Sequence, residues 1–110
     1  VLKLLMSRYM HLKKSTIEQI ISTAQQFDNI EKVVLFGSWA MGNAKKGSDI
    51  DLVVKGEMID QEELSSFFSF LDEKTTIPNL LDVIHFNSIT NAELIEHIEM
   101  HGVETYKKST

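Results

Sequence analysis

The stretch VVLFGSWAMGNAKKGSDIDLVV, residues 33–54, holds two apolar runs separated by a small-residue turn and a polar loop. Apolar, β-branched runs bounded by glycine are typical of strands, so residues 31–36 and 49–54 are expected to lie in one sheet. Asp49 and Asp51 stand at the entrance of the second strand. An ionised carboxylate beside a core is unfavourable unless a cation or hydrogen bonds compensate it. This acidic pair therefore needs a cation or hydrogen-bond donors beside it.

Three helices and a third strand are predicted in the rest of the chain. The helices are indicated by apolar residues at helical spacing and by caps, and the strand by a short apolar run. The helices span residues 15–28 (capping box Ser15 and Glu18), 60–74 (Asp60 and Glu63) and 91–101 (ending at Gly102), and the strand spans residues 80–86. This order predicts an α/β (α+β) domain in which helices pack on a small mixed sheet of strand order 1-2-3.

The positions of five residues suggest one site at one end of that sheet. Gly37 and Ser38 follow the first strand, whereas Asp49 and Asp51 begin the second. They share a site only if these two strands are antiparallel. The long helix before the third strand suits a parallel crossover, which brings Asp82, near the start of that strand, to the same end.

The three acids predict a divalent metal site. Residues two apart in a strand share a face, so Asp49 and Asp51 point together and repel each other. No lysine or arginine lies within their strand. Mg²⁺ (or Mn²⁺) prefers oxygen ligands and binds substrate phosphates, and Asp82 is the third ligand or the base. Such an arrangement catalyses phosphoryl-type transfer, so all three acids are the predicted catalytic and metal residues.

The Gly-Ser turn predicts the phosphate side of the same site. Gly37 lets the backbone approach a phosphate closely, and the N–H groups of Ser38 and Trp39, at the start of a helical turn, face the anion. Gly42 ends that turn, and Ser48 stands directly before the acidic pair. These five residues are the predicted phosphate-binding set, and the family resemblance described below implies that the phosphates are those of a nucleotide.

Composition limits the classes of function. The chain has 110 residues, 43% of them hydrophobic, and is expected to form a basic arm over residues 1–14 and one domain over residues 15–110. The arm carries four basic residues and no acid, whereas the rest has 7 basic and 16 acidic residues, a net charge of −9. An acidic body disfavours nucleic acid as a partner. No apolar run predicts a membrane span, and the absence of cysteine fits the cytoplasm.

The motifs GSWAMG, SDIDL and LLDVIHF together resemble the minimal nucleotidyltransferases of the DNA polymerase β superfamily, over roughly residues 31–106. The resemblance implies a mixed sheet, Mg²⁺, ATP and nucleotidyl transfer to a hydroxyl. Small members of this superfamily look like MNT-type antitoxins, the partners of helical HEPN-domain toxins, and some adenylylate a toxin tyrosine. A homo- or hetero-oligomer is thus implied. Members often carry arginines where this chain has Trp39 and Met41.

Three functions compete at this point. The first is an enzyme that transfers AMP from ATP to a hydroxyl, on a HEPN-type toxin as the resemblance implies. The alternative is a weakly active or inactive nucleotide-binding module that neutralises the toxin by occlusion. A nucleotidyltransferase acting on small molecules would normally need an added helical domain, which this sequence does not show.

Several residues also have a purely structural interpretation. Asp82 is alternatively an exposed residue of an edge strand, and Trp39 a core residue. His97 and His101 are four apart on a predicted helix, the spacing of a metal pair. Position 98 holds Ile98 instead of the glutamate of a zinc-protease motif, so both histidines are expected at the surface.

Overall fold

A computed structural model describes residues 12–109. The helices are α1 (Lys14–Ala24), α2 (Gly37–Met41), α3 (Gln61–Glu73) and α4 (Ala92–His101); the strands are β1 (Lys32–Phe36), β2 (Ile50–Lys55), β3 (Leu81–His85) and β4 (Val103–Lys107); a 3₁₀ turn covers Phe86–Ser88. Apart from residues 12–14, the predicted basic arm lies outside the described residues, so that division of the chain stays a prediction.

The four strands form one mixed sheet in the order β3-β2-β1-β4. Strand β1 pairs antiparallel with β2, and β2 pairs parallel with β3. Both orientations were expected from the placement of the turn and the acids, so the predicted order of the first three strands is confirmed. The fold class is confirmed as well.

The strand β4 was not predicted, and it extends the sheet on the other side of β1. Tyr106 of this strand lies opposite Val33 and is half-buried. Thr105 is buried, and its hydroxyl donates a hydrogen bond to the Val33 carbonyl at 2.9 Å, where the β1–β4 register shifts. The strand is short, and although Val103, Thr105 and Tyr106 favour β structure, only two of its five residues are apolar, so no apolar run marks it in the sequence.

The first helix differs from its prediction at both ends. It begins at Lys14, with Lys13 in the N-cap position and no side-chain cap, so the Ser15–Glu18 capping box does not form. The helix ends at Ala24, four residues early, because the amides of Gln26 and Phe27 bond three residues back in turn geometry. The predicted caps of the later helices are confirmed: Asp60 accepts from the Glu63 amide at 2.8 Å, and Gly102 ends α4.

The sheet is covered on both faces, and this determines which face carries the acids. One face packs against α1 and α3 through Val33, Leu35, Ile50, Leu52, Val54, Ile20, Phe67 and Leu71. The other packs against α4 through Val34, Phe36, Val53 and Ile98. Because residues two apart share a face, Asp51 lies with Val53 and Asp82 with Ile84 on the α4 side. The apolar neighbours of Asp51 point into the opposite layer.

Candidate active site

The acids of β2 and β3 lie side by side at one end of the sheet. Asp51 is the register partner of Asp82 across the parallel pair and of Phe36 across the antiparallel pair. Asp49 precedes β2 by one residue and is exposed, as is Asp82, whereas Asp51 is half-buried. The structure therefore brings the three predicted acids to one end of the sheet.

The Gly-Ser turn packs directly on Asp51. Gly37 has a φ of +75°, a conformation that favours glycine. A Cβ atom at this position would collide with the Asp51 Oδ2 atom and lie 3.2 Å from its Cγ atom. The helix α2 begins at Gly37 and ends, as predicted, at Gly42 in the left-handed region with a φ of +79°. The absence of a side chain at Gly37 thus allows the backbone and the carboxylate to approach each other.

The electrostatics of the site are dominated by Asp51. Burial, then the Asp82 carboxylate and then that of Asp49 raise the pKa of Asp51 above its ordinary value, while His97 acts in the opposite direction. Within residues 12–109 the ion pairs are Lys14–Glu18 and Lys32–Glu104, and neither involves these acids. The three carboxylates therefore carry negative charge that no lysine or arginine of the described chain pairs with.

The donor set fits a hard divalent ion, although the side chains do not form a closed site. Three carboxylates with uncompensated charge and oxygen donors match the preference of Mg²⁺ or Mn²⁺. In the described part of the chain, no three acidic or histidine side chains are gathered closely enough to hold an ion as they stand. Metal binding by Asp49, Asp51 and Asp82 accordingly requires side-chain adjustment, which the two exposed carboxylates permit.

His97 lies beside the Gly-Ser turn and is half-buried, whereas a surface position was expected from the sequence. Its Nε2 atom accepts a hydrogen bond from the Gly37 amide at 3.2 Å, and its ring packs edge-on against Phe36. Acceptance at Nε2 requires the neutral ring to carry its proton on Nδ1. A signal was present in the sequence: His97 lies three residues after Leu94, on the side of α4 that faces the sheet. His101 is exposed, as expected.

The side chains of Trp39 and Ser48 are engaged within the protein, and their predicted contacts with a nucleotide stay a prediction. The Trp39 side chain is 8% exposed and packs in the core, which is its structural interpretation. Its indole N–H donates to the Ser48 carbonyl at 3.0 Å. The Ser48 hydroxyl accepts from the Lys45 amide at 2.9 Å, within the loop. Ser38, half-buried in α2, accepts from the Asn43 amide through its carbonyl. The backbone N–H groups of residues 38 and 39 remain at the start of a helical turn, as expected.

A mixed sheet with a Gly-Ser turn packed against paired aspartates defines a nucleotidyltransferase domain. In agreement, the sequence profile of the family described as "Polymerase beta, Nucleotidyltransferase" matches residues 18–110. The chain belongs to this family. The class of enzyme predicted from the motifs is thereby confirmed at the level of the family.

Solved structures with similar folds come from toxin–antitoxin complexes. A toxin–antitoxin crystal structure with AMP-PNP has a TM-score of 0.69, 19% identity and coverage of 84% of this chain and 74% of that chain. An MntA–HepT toxin–antitoxin structure has a TM-score of 0.65, 16% identity and coverage of 87% and 74%. A complex of tri-AMPylated HEPN toxin with MNT antitoxin from Shewanella oneidensis has a TM-score of 0.57, 15% identity and coverage of 98% and 74%. At these identities the likeness shows the fold alone.

No curated protein sequence is significantly similar to this chain. Among the helices of residues 12–109, none has the length and apolar character needed to cross a membrane.

Proposed function

We propose that this chain is a divalent-metal-dependent nucleotidyltransferase that transfers AMP from ATP to a hydroxyl group of a HEPN-type partner, as an MNT-type antitoxin. The observation that carries the proposal is the pairing of Asp51 with Asp82 on adjacent strands, with Gly37 packed against Asp51. Family membership supports the reaction class. The similar folds that contain AMP-PNP and an AMPylated HEPN toxin support the nucleotide and the partner.

Each part of the site has a role in this proposal. Asp49 and Asp51 hold Mg²⁺ or Mn²⁺, and Asp82 is a further ligand and accepts the proton of the acceptor hydroxyl. The bound ion supplies charge stabilisation at the phosphate oxygens. The N–H groups of Ser38 and Trp39 face the terminal phosphates. The acceptor oxygen forms a bond to the α-phosphorus, the bond from that phosphorus to the bridging oxygen breaks, and pyrophosphate leaves. The proposed location is the cytoplasm, which the lack of cysteine favours.

Intact-mass measurement tests this function. The chain is incubated with ATP, Mg²⁺ and a HEPN-domain protein encoded beside it, and the partner is expected to gain the mass of one or more AMP groups. A double variant with Asp49→Asn and Asp51→Asn should transfer nothing. A matched double variant with Asp28→Asn and Asp72→Asn, two exposed acids of the same charge, should transfer normally.

Calorimetric titration with Mn²⁺ separates the metal site from the transfer reaction. The wild type and the matched control are expected to bind the ion, whereas the variant at positions 49 and 51 should bind it far more weakly. Equal binding by all three proteins refutes the metal site. A wild-type complex that forms without any mass increase refutes the transferase and leaves neutralisation by contact.

One observation favours that second function, a nucleotide-binding module that neutralises a toxin by occlusion. Where related enzymes carry arginines, as the resemblance implies, Trp39 is buried and Met41 is uncharged and 49% exposed. The phosphate side of the site therefore lacks two positive charges, which reduces the stabilisation of a developing negative charge. The mass measurement distinguishes the two functions in a single sample.

A further inference from the structure

The carbonyl oxygen of Ser48 is held by two side chains. The Trp39 indole N–H donates to it at 3.0 Å, and the Asn79 amide donates to it through Nδ2 at 2.9 Å. A carbonyl oxygen has two lone pairs, so this acceptor is fully engaged. Asn79 also donates to the Lys46 carbonyl at 3.3 Å, which fixes a second point of the same loop.

These bonds tie together the three segments that carry the proposed site. Trp39 directly follows Ser38 of the Gly-Ser turn, Ser48 directly precedes Asp49, and Asn79 stands three residues before Asp82. One oxygen atom therefore joins the turn, the acidic loop and the entrance of β3. Nothing in the sequence indicated this role for Asn79, because the residue lies in an irregular segment after Pro78.

We call the two hydrogen bonds that Trp39 and Asn79 donate to the Ser48 carbonyl the clamp. Asp49 is the residue whose position depends on it. It is exposed and lies outside β2, so no strand pairing of its own holds it. The peptide group before it is fixed through the Ser48 carbonyl, and the peptide group after it through the Ile50 amide, which donates to the Leu80 carbonyl at 2.9 Å. With both neighbouring peptide groups held, the backbone of Asp49 and the direction of its Cα–Cβ bond are restricted, while the carboxylate can still rotate about that bond.

We propose that Trp39 and Asn79 are positioning residues that hold the backbone of Asp49 at the end of the sheet where Asp51 and Asp82 lie and thereby set the affinity of the site for a divalent cation. The proposal rests on the proposed function, because it takes the three acids to be the ligands. A ligand whose backbone is already ordered loses less conformational freedom on binding, so the clamp raises affinity without touching the ion. Trp39 accordingly acts by holding the loop before Asp49, and its indole ring does not stack on the nucleobase of ATP.

Limited trypsin digestion tests the clamp in the metal-free protein. Lys45 and Lys46 are exposed and lie in the clamped loop, so cleavage there reports local opening. Asn79→Ala and Trp39→Phe, each lacking one donor, are expected to be cut at these lysines about fivefold faster than wild type. Asn87→Ala is the matched control, since Asn87 is exposed and lies in the 3₁₀ turn away from the loop. Unchanged cleavage in both donor variants overturns the clamp.

Mn²⁺ titration tests the effect of the clamp on the metal affinity of the site. Trp39→Phe is expected to raise the Kd for Mn²⁺ about fivefold, the loss that one hydrogen bond typically causes, and Asn79→Ala, which removes two, by at least as much, while Asn87→Ala leaves it unchanged. Asp49→Asn should weaken binding less in the Asn79→Ala background than in the wild type, because the two changes act through the same ligand. Fully additive effects overturn the proposal.

The outcomes also separate this inference from the proposed function. If the wild type binds Mn²⁺ and both donor variants bind it equally well, the positioning role is wrong and the metal site stands. If the wild type itself does not bind Mn²⁺, the proposed function and the positioning role are both wrong. Trp39→Phe and Asn79→Ala disturb different elements, so agreement between them excludes a local packing defect as the cause.

Discussion

Gly37→Ala is expected to destabilise the fold and to disturb the site at the same time. The residue adopts a φ of +75°, and an added Cβ atom would collide with the Asp51 carboxylate. A left-handed conformation costs a residue with a side chain about 1–2 kcal/mol. Overpacking against a neighbour adds about 1–3 kcal/mol. Together these terms predict a loss of about 2–5 kcal/mol, a large part of the stability of a small domain, which is about 5–15 kcal/mol.

Gly47→Ala is the matched control for this change. No atom lies within 4 Å of the Cβ position at Gly47, and its φ is not among the positive values of the described glycines. Alanine there should leave the free energy of unfolding unchanged or raise it by about 0.4–1 kcal/mol, through its effect on the unfolded chain. Urea denaturation in EDTA measures both variants, and comparison of the two isolates the special geometry of Gly37.

A double-mutant cycle then separates the two terms at Gly37. Asp51→Ala removes the atoms that the new Cβ meets first, so Gly37→Ala should cost about 1–3 kcal/mol less in that background. The remaining loss is the left-handed strain. If Gly37→Ala is as stable as Gly47→Ala, or if its effect is the same with and without the Asp51 carboxylate, the described contact between turn and acid is wrong.

The other predictions concern the charged groups of the site. Because burial and then Asp82 raise the pKa of Asp51, the ionised form destabilises the metal-free fold above that pKa, and the penalty fades as the pH falls through it. In EDTA at pH 7, Asp51→Asn should therefore be more stable than wild type by about 0.5–2 kcal/mol, as measured by urea denaturation. This difference in the free energy of unfolding should shrink at acid pH. A variant that is less stable than wild type at pH 7 contradicts the prediction. His97→Phe keeps an aromatic ring but removes the acceptor of the Gly37 amide, so it should lower the free energy of unfolding by about 1–3 kcal/mol. It should also speed the hydrogen exchange of the Gly37 amide in NMR, whereas His101→Phe should change neither quantity. Asp82→Ala should abolish AMP transfer yet leave the partner complex intact in a pull-down, and loss of both would make Asp82 an interface or folding residue.

The part of the fold that the sequence predicts is the part with strong local patterns. The β-branched runs on either side of Gly37 gave the first two strands, and the third followed from its apolar run. The long helix between β2 and β3 suits a parallel crossover, and connectivity alone therefore predicts that Asp82 lies at the same end of the sheet as Asp49 and Asp51. The meeting of the acids therefore followed from connectivity and from the two-residue period of a strand.

The missed features depend on contacts that lie far apart in the chain. Strand β4 is held by pairing with β1, and its buried polar residue, Thr105, is tolerated because its hydroxyl bonds to the Val33 carbonyl. Asn79 meets Ser48 across 31 positions of sequence. The Ser15 capping box is an exception, because it is a local signal and the helix nevertheless begins one residue earlier, at Lys14. Local sequence patterns do not specify which residues far apart in the chain will pair.

Under the proposed function, the charge of the site gives the HEPN-type partner a second role besides supplying the acceptor hydroxyl. Three carboxylates and a triphosphate bring more negative charge to this end of the sheet than one or two divalent ions neutralise. Trp39 is buried with its N–H engaged, and Met41 is uncharged, so neither supplies the positive charge that arginine brings in related enzymes. Lys45 and Lys46 are the exposed cations of the adjoining loop. We therefore expect efficient transfer only to an acceptor whose own surface is basic, since such a surface both docks on an acidic body and completes the phosphate side of the site.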